Sequence, residues 1–194
     1  QVYGEEHRLQ SVGNGGSELD VSHAGSDVID YAGQMQVADH LSEANGWKTG
    51  AGEVLAVHLE TVAGNRGDIY KGGETVRMVI RAVVFKSMNQ PILGFLVRDR
   101  LGQDLFGENT LPFTSLNPCP ISAGQEIEGE FIFRLPMLPN GNYAVMASLA
   151  EGDLYNHIEH HWLHDALIIN VFSSKVRWGL VGVPFEKVIL RNAS

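Results

Sequence analysis

Residues 74–86 place the tightest limit on what this chain can fold into. Val76, Met78, Ile80, Ala82 and Val84 alternate strictly with Arg77, Val79, Arg81, Val83 and Phe85. A period of two marks a strand with one buried face, because successive side chains point to opposite sides of the pleat. A helix would scatter the same apolar residues around its circumference. The first set reads as a core face. The second, two arginines among apolar residues, reads as a solvated sheet face.

Similar segments follow along the chain. In residues 54–62, Val57 and Leu59 share one face, with His58 and Glu60 on the other. Residues 92–99 form a further strand, and Pro91 suits its first position, where a missing N–H costs least. Across 125–135 the set Ile127, Gly129, Phe131, Phe133 and Leu135 points inward, while Glu126, Glu128, Glu130 and Arg134 point outward. Asn140-Gly141 is a hairpin signal ahead of a strand at 143–149. Strands at 163–172 and 180–190 complete the set. Short strands with Gly/Pro turns and no long helical period predict an all-β, immunoglobulin-like antiparallel β-sandwich.

The first fifty residues have a different texture. They carry eight acids against two bases, most of the chain's net −9, and are rich in Gly and Ser. This predicts an acidic, largely disordered linker over 1–52 and a domain over 53–194. Trp47 would anchor the linker's end. The chain starts at Gln1 without a signal-peptide pattern, and it reads as a piece of a longer protein or a processed one. No apolar run approaches the ~20 residues that cross a bilayer. The acidic balance disfavours nucleic acid, since no basic stripe offsets the repulsion of a polyanion. A single cysteine, Cys119, excludes an internal disulfide and favours a reducing compartment.

Catalytic patterns are not found. There is no Gly-x-Ser-x-Gly and no phosphate-binding Gly-x-x-x-x-Gly-Lys, and the acids fall on outward strand positions or in turns. His157, His160, His161 and His164 have i, i+4 spacings that would suit zinc on a helix. The apolar run at 166–171 instead makes the segment a strand, with His157, Glu159 and His161 on one face and His160, Trp162 and His164 on the other. An exposed polar edge, a sugar-contacting rim and a metal site are the readings of that cluster. What remains is a recognition surface of aromatic faces and planar polar groups, as sugars require. The candidate carbohydrate-binding residues are Arg77, Arg81, Tyr155, His157, His161 and Trp162, with no catalytic residue, metal ligand or cofactor.

Gly72-Gly73-Glu74, the Arg77 strand, Pro91-Ile-Leu-Gly94-Phe95, Arg98-Asp99, Gly102 and Phe106-Gly107-Glu-Asn109-Thr110 resemble the C-terminal domain of Wzt. Wzt is the nucleotide-binding subunit of ABC transporters that export O-antigen polysaccharide. The similarity runs over about 53–190 and includes Leu138-Pro-Asn-Gly-Asn-Tyr143 and the segment from Trp162 to Asp165-Ala166. It implies a non-catalytic, cytoplasmic immunoglobulin-like module, peripheral at the inner membrane through the transporter. Such a module follows an ATPase domain and binds the non-reducing, often modified, end of a lipid-linked glycan. It also implies a homodimer that exchanges its last strand, here within 180–190, and partnership with the ATPase domain and the transmembrane subunit. The motif glycines and Asn109-Thr110 would serve backbone geometry, leaving specificity elsewhere. A structural adaptor that dimerises the ATPase without binding glycan is the alternative, and a metal enzyme built on the histidines a third.

Overall fold

The computed structural model of the chain describes residues 19–20, 31–64, 66–67, 69–185 and 188–193. Twelve strands are found among them: β1 (Leu19–Asp20), β2 (Gln34–Asp39), β3 (Gly46–Lys48), β4 (Gly52–Thr61), β5 (Ile69–Tyr70) and β6 (Thr75–Val84), then β7 (Pro91–Asp99), β8 (Asp104–Asn109), β9 (Glu126–Arg134), β10 (Gly141–Gly152), β11 (His157–Phe172) and β12 (Ile189–Leu190). Among the described residues helix is confined to a 3-10 turn at Leu41–Glu43 and to α1 (Leu111–Thr114).

Residues 31–183 form one unit, built as two facing antiparallel sheets. The larger runs β5-β2-β11-β10-β7-β8, with β3 also pairing along β11. The smaller runs β4-β6-β9. The core lies between them. Val76, Ile80, Ala82 and Val84 of β6 are fully buried and Met78 nearly so, which is the face its alternation predicts. From the large sheet Val97, Val145, Leu149 and Leu167 pack into the same core, with Phe95 stacked on Phe133 at 5.7 Å between ring centroids. Each fully buried aliphatic side chain contributes about 1.5–3 kcal/mol relative to exposure. This is the immunoglobulin-like antiparallel sandwich expected from the sequence. A second unit, formed by residues 1–30 and 184–194, contains the pair β1–β12.

Two expectations are corrected. The sequence predicts an acidic linker over 1–52, yet β2 and β3 are hydrogen-bonded strands of the large sheet and the unit begins at Tyr31. β2 holds only one buried side chain, Met35, so its hydrophobic signal was weak; its partner β11 supplies the register. Most of residues 1–30 lie outside the described residues. The strand at 180–190 is reduced to a single bridge, Gly182 to Met137, and to β12. Gly107 marks the close approach of β8 to β7. It sits so close to β7 that a Cβ there would run into the Phe95 carbonyl, a close approach only glycine permits.

The shared motif builds these joints. Asp99 Oδ1 accepts the backbone N–H groups of Leu101 and Gln103, both at 2.9 Å, closing the β7–β8 hairpin around Gly102 at φ +79°. Arg98 pairs with Asp104 across that hairpin. Thr110 Oγ1 accepts the Leu93 N–H at 3.1 Å, tying the end of β8 to β7. The Glu74 carboxylate accepts from Lys71 and Gly72 N–H, closing a turn whose Gly72 and Gly73 both have positive φ.

Candidate functional site

The outer face of the large sheet is concave where side chains are small. Gly94 is the centre of the depression. A Cβ on it would lie 3.0 Å from the Asn109 Cβ and 3.5 Å from the Ser148 Oγ, so any larger residue would fill the floor. Gly94 pairs directly with Asn109 of β8 and with Ser148 of β10, and Ser148 pairs in turn with Trp162 of β11. Directly opposed residues of antiparallel strands share a face. These four therefore line one row of the same surface. Leu96 and Met146 lie on one side of the row, and Glu159, opposite Ala150, lies on the other. Together they bound a cleft of about 380 Å³. Beyond Glu159, Leu111 of α1 packs with Ile92 and Ala150 as a small apolar cluster apart from the core.

A β-bulge makes this arrangement. Leu149 faces His161 and Ala150 faces Glu159, so His160 is an extra residue on β11. The strict alternation expected for 157–164 breaks there. His161 turns inward, 7% exposed, and its Nδ1 accepts the Val54 N–H of β4 at 2.8 Å, bridging the two sheets. Glu159 and Trp162, three apart in sequence, are brought to the same outer face. The bulged His160 is held by Thr49 Oγ1 at 3.0 Å and Glu151 at 3.4 Å.

The chemistry of the cleft is mixed. The Trp162 indole N–H donates to His164 Nδ1 at 3.3 Å, which orients the ring. Burial raises the Glu159 pKa, outweighing the nearby His157 and His160 and the Ser148 hydroxyl, which pull it down. Glu159 Oε2 is buried and has no hydrogen-bond partner. A buried polar oxygen without a partner is costly unless something else supplies a donor. Asn109 Oδ1 is occupied by the Leu111 N–H at 3.0 Å, which leaves its amide N–H₂ facing away from that bond. The set offers an apolar platform, a carboxyl acceptor, an amide donor and a hydroxyl.

Of the six residues expected to bind, the fold brings only Trp162 into this cleft. Arg77 and Arg81 lie on the outer face of the small sheet. Arg77 pairs with Glu60 at 2.5 Å and Glu130 at 3.3 Å; Arg81 pairs with Glu126 at 2.6 Å and Glu128 at 3.6 Å. Both guanidiniums are already held by cross-strand carboxylates. Tyr155 is 91% exposed in the β10–β11 turn, where Asp153 caps the backbone, and His157 is exposed at the start of β11. His161 is committed to Val54. The fold adds Gly94, Asn109, Ser148 and Glu159. Gly94 and Asn109 were visible in the motif but read as scaffold; Ser148 is a polar residue in an otherwise apolar run, a signal that could have found it. Among the described residues no group of three or more His, Cys, Asp or Glu side chains is placed to hold a metal ion.

The fold is an antiparallel sandwich whose open sheet face carries an aromatic and polar cleft. Residues 43–183 match the family described as the Wzt C-terminal domain, and the chain belongs to that family. It is thus a non-catalytic module with a role in O-antigen ABC transport. Among solved structures, the crystal structure of the C-terminal domain of wzt is similar at TM-score 0.62 and 18% identity, covering 73% of this chain and 85% of that one. The comparison with curated proteins found no match. No helix among the described residues is long and apolar enough to cross a membrane.

Proposed function

We propose that the cleft around Gly94 binds the non-reducing terminus of a lipid-linked O-antigen polysaccharide before export. One observation carries the reading: a buried, unpartnered Glu159 oxygen beside an oriented Trp162, over a floor without a side chain. A pyranose presents an apolar C–H face for the indole and hydroxyls for the carboxyl, amide and serine. A terminal sugar, with or without a capping group, fits a cleft of about 380 Å³ better than a chain interior crossing a flat sheet. The module would act in the cytoplasm beside the ATPase domain and the transmembrane subunit of the transporter.

Titration calorimetry of the 194-residue chain with the source organism's O-antigen polysaccharide tests this. Binding is expected, with Trp162→Ala weakening it by at least about tenfold, on the order of a lost aromatic platform. Polysaccharide stripped of its terminal residue should bind more weakly. Equal binding of an unrelated polysaccharide would refute the assignment.

The adaptor reading has one observation in its favour. Trp178, Leu180 and Val183 are 85%, 53% and 59% exposed, apolar surface that a second copy would cover. An exchanged strand within 180–190 would do so, and it is compatible with glycan binding. Light scattering should give a dimer, and a chain ending at Lys175 a monomer.

A further inference from the structure

The row through the cleft does not stop at Trp162. Trp162 is directly opposite Trp47 of β3, so both indoles rise from the same face of the large sheet. Trp47 is 48% exposed. From one edge to the other the row reads Asn109, Gly94, Ser148, Trp162, Trp47, with every neighbouring pair in direct register. Strands stand about 4.8 Å apart, so four intervals give a straight path of roughly 19 Å across the sheet. One strand spacing is close to the length that one pyranose residue adds to a glycan chain.

The two ends of the row differ chemically. At Asn109, Gly94 and Ser148 it is small and polar, with Glu159 alongside. At β3 it is aromatic and ends at a free sheet edge. Small, polar and recessed suits the terminal residue, whose hydroxyls or cap must be distinguished. Flat and aromatic suits internal residues, which need to be gripped without being identified, since stacking tolerates differences in hydroxyl pattern. β3 is held in place for this: Thr49 N–H donates to the His160 carbonyl at 2.8 Å and His164 N–H to the Asn45 carbonyl at 2.8 Å, on either side of Trp47. The Lys48–Glu53 ion pair at 2.9 Å ties the same strand to β4.

We infer that the site is an extended one in which the glycan lies perpendicular to the strands, its terminal residue over Gly94 and against Trp162 and its next residues running outward to stack on Trp47. This rests on the glycan-binding reading above and adds its direction, its length and a second platform. The chain would leave the domain over β3, at the side where the sequence enters the sandwich from residues 31–45.

Graded oligosaccharides from partial hydrolysis of the source organism's O-antigen polysaccharide, retaining the non-reducing end, supply the test. For the unaltered chain the affinity should rise with length and level off at about four residues, the number of strand positions from Gly94 to Trp47. Trp47→Ala should bind the shortest fragment as the unaltered chain does but lose the gain with length, a drop of about tenfold for the longest. Trp47→Tyr should restore most of it, and an unchanged thermal midpoint in Trp47→Ala excludes unfolding as the cause. Affinity that is already full for the shortest fragment, or a length dependence that survives Trp47→Ala, overturns the extended path while leaving the terminal cleft standing. Absence of binding at every length removes both.

Discussion

Glu159 shows most plainly how one residue is set apart by its surroundings. Its carboxyl sits where burial raises its pKa, and its buried Oε2 is unpartnered. A carboxyl whose folded pKa is raised binds its proton more tightly when folded. Its contribution to stability is present at low pH and is lost as pH rises through that raised value. At neutral pH the charged group therefore destabilises the fold. Glu159→Gln should raise the thermal midpoint near pH 7.5, by up to about 2 °C, while weakening glycan binding about tenfold or more. Calorimetric unfolding and titration on the same sample check both. A variant less stable at neutral pH, or one that binds as well as before, would count against a functional role. The same contrast, local cost against use, separates Glu159 from His160, which has partners on both ring nitrogens.

At the scale of elements, β11 governs the molecule. It pairs with β10 along its length and with both β2 and β3 on its other edge, and its bulge at His160 decides what faces in and what faces out. His161 is the inward consequence. Burial lowers its pKa, more than the opposing pull of Glu53, and its Nδ1 must remain unprotonated to accept the Val54 N–H. On the small sheet His58 is also lowered, by burial and then by Arg66. Both histidines thus hold fewer protons in the fold than in the unfolded chain. The stability they contribute is present above the ordinary value near 6.5 and is lost as pH falls through the lowered values. The urea midpoint should therefore fall between about pH 7.5 and about pH 5.5, with the loss reduced in His58→Gln. In Glu159→Gln, which lacks the carboxyl whose protonation on acidification would offset this loss, a midpoint that holds or rises would contradict the inward placement of His161.

The sandwich of residues 31–183 has two outer faces of different chemistry. The small sheet's outer face is a cross-strand ladder of charge: Glu60 on β4, Arg77 and Arg81 on β6, and Glu126, Glu128 and Glu130 on β9. Glu60 is 7% exposed, so removing Arg77 strands a buried carboxylate. Arg77→Ala should cost roughly 2 kcal/mol, less than a fully buried pair because the arginine keeps some contact with water. Glycan binding should be unchanged, since the residue lies on the sheet opposite the cleft. Denaturation midpoints and titration of that variant check the division, and a specific loss of binding would move the site to the other sheet.

The alternation of residues 76–84 determined, without any structure, that this stretch is a strand and which face of it is buried, and its repetition along the chain pointed to a sandwich. Side-chain direction in a strand is a local property of the pleat, and burial follows from it. The Gly-, Asp- and Thr-bearing motif likewise announced its turns, because Asp99, Gly102 and Thr110 act within a few residues or across one hairpin. The site could not be read in the same way. A strand's row of neighbours runs across the chain, not along it, so Asn109, Gly94, Ser148 and Trp162 become adjacent only once register is known. One inserted residue at His160 reverses every later side chain, and no local preference marks where it falls. The two arginines looked available for the complementary reason: the carboxylates that occupy them come from other strands. Periodicity belongs to the sequence, while register, bulge and pairing are settled by the packing of one strand against the next.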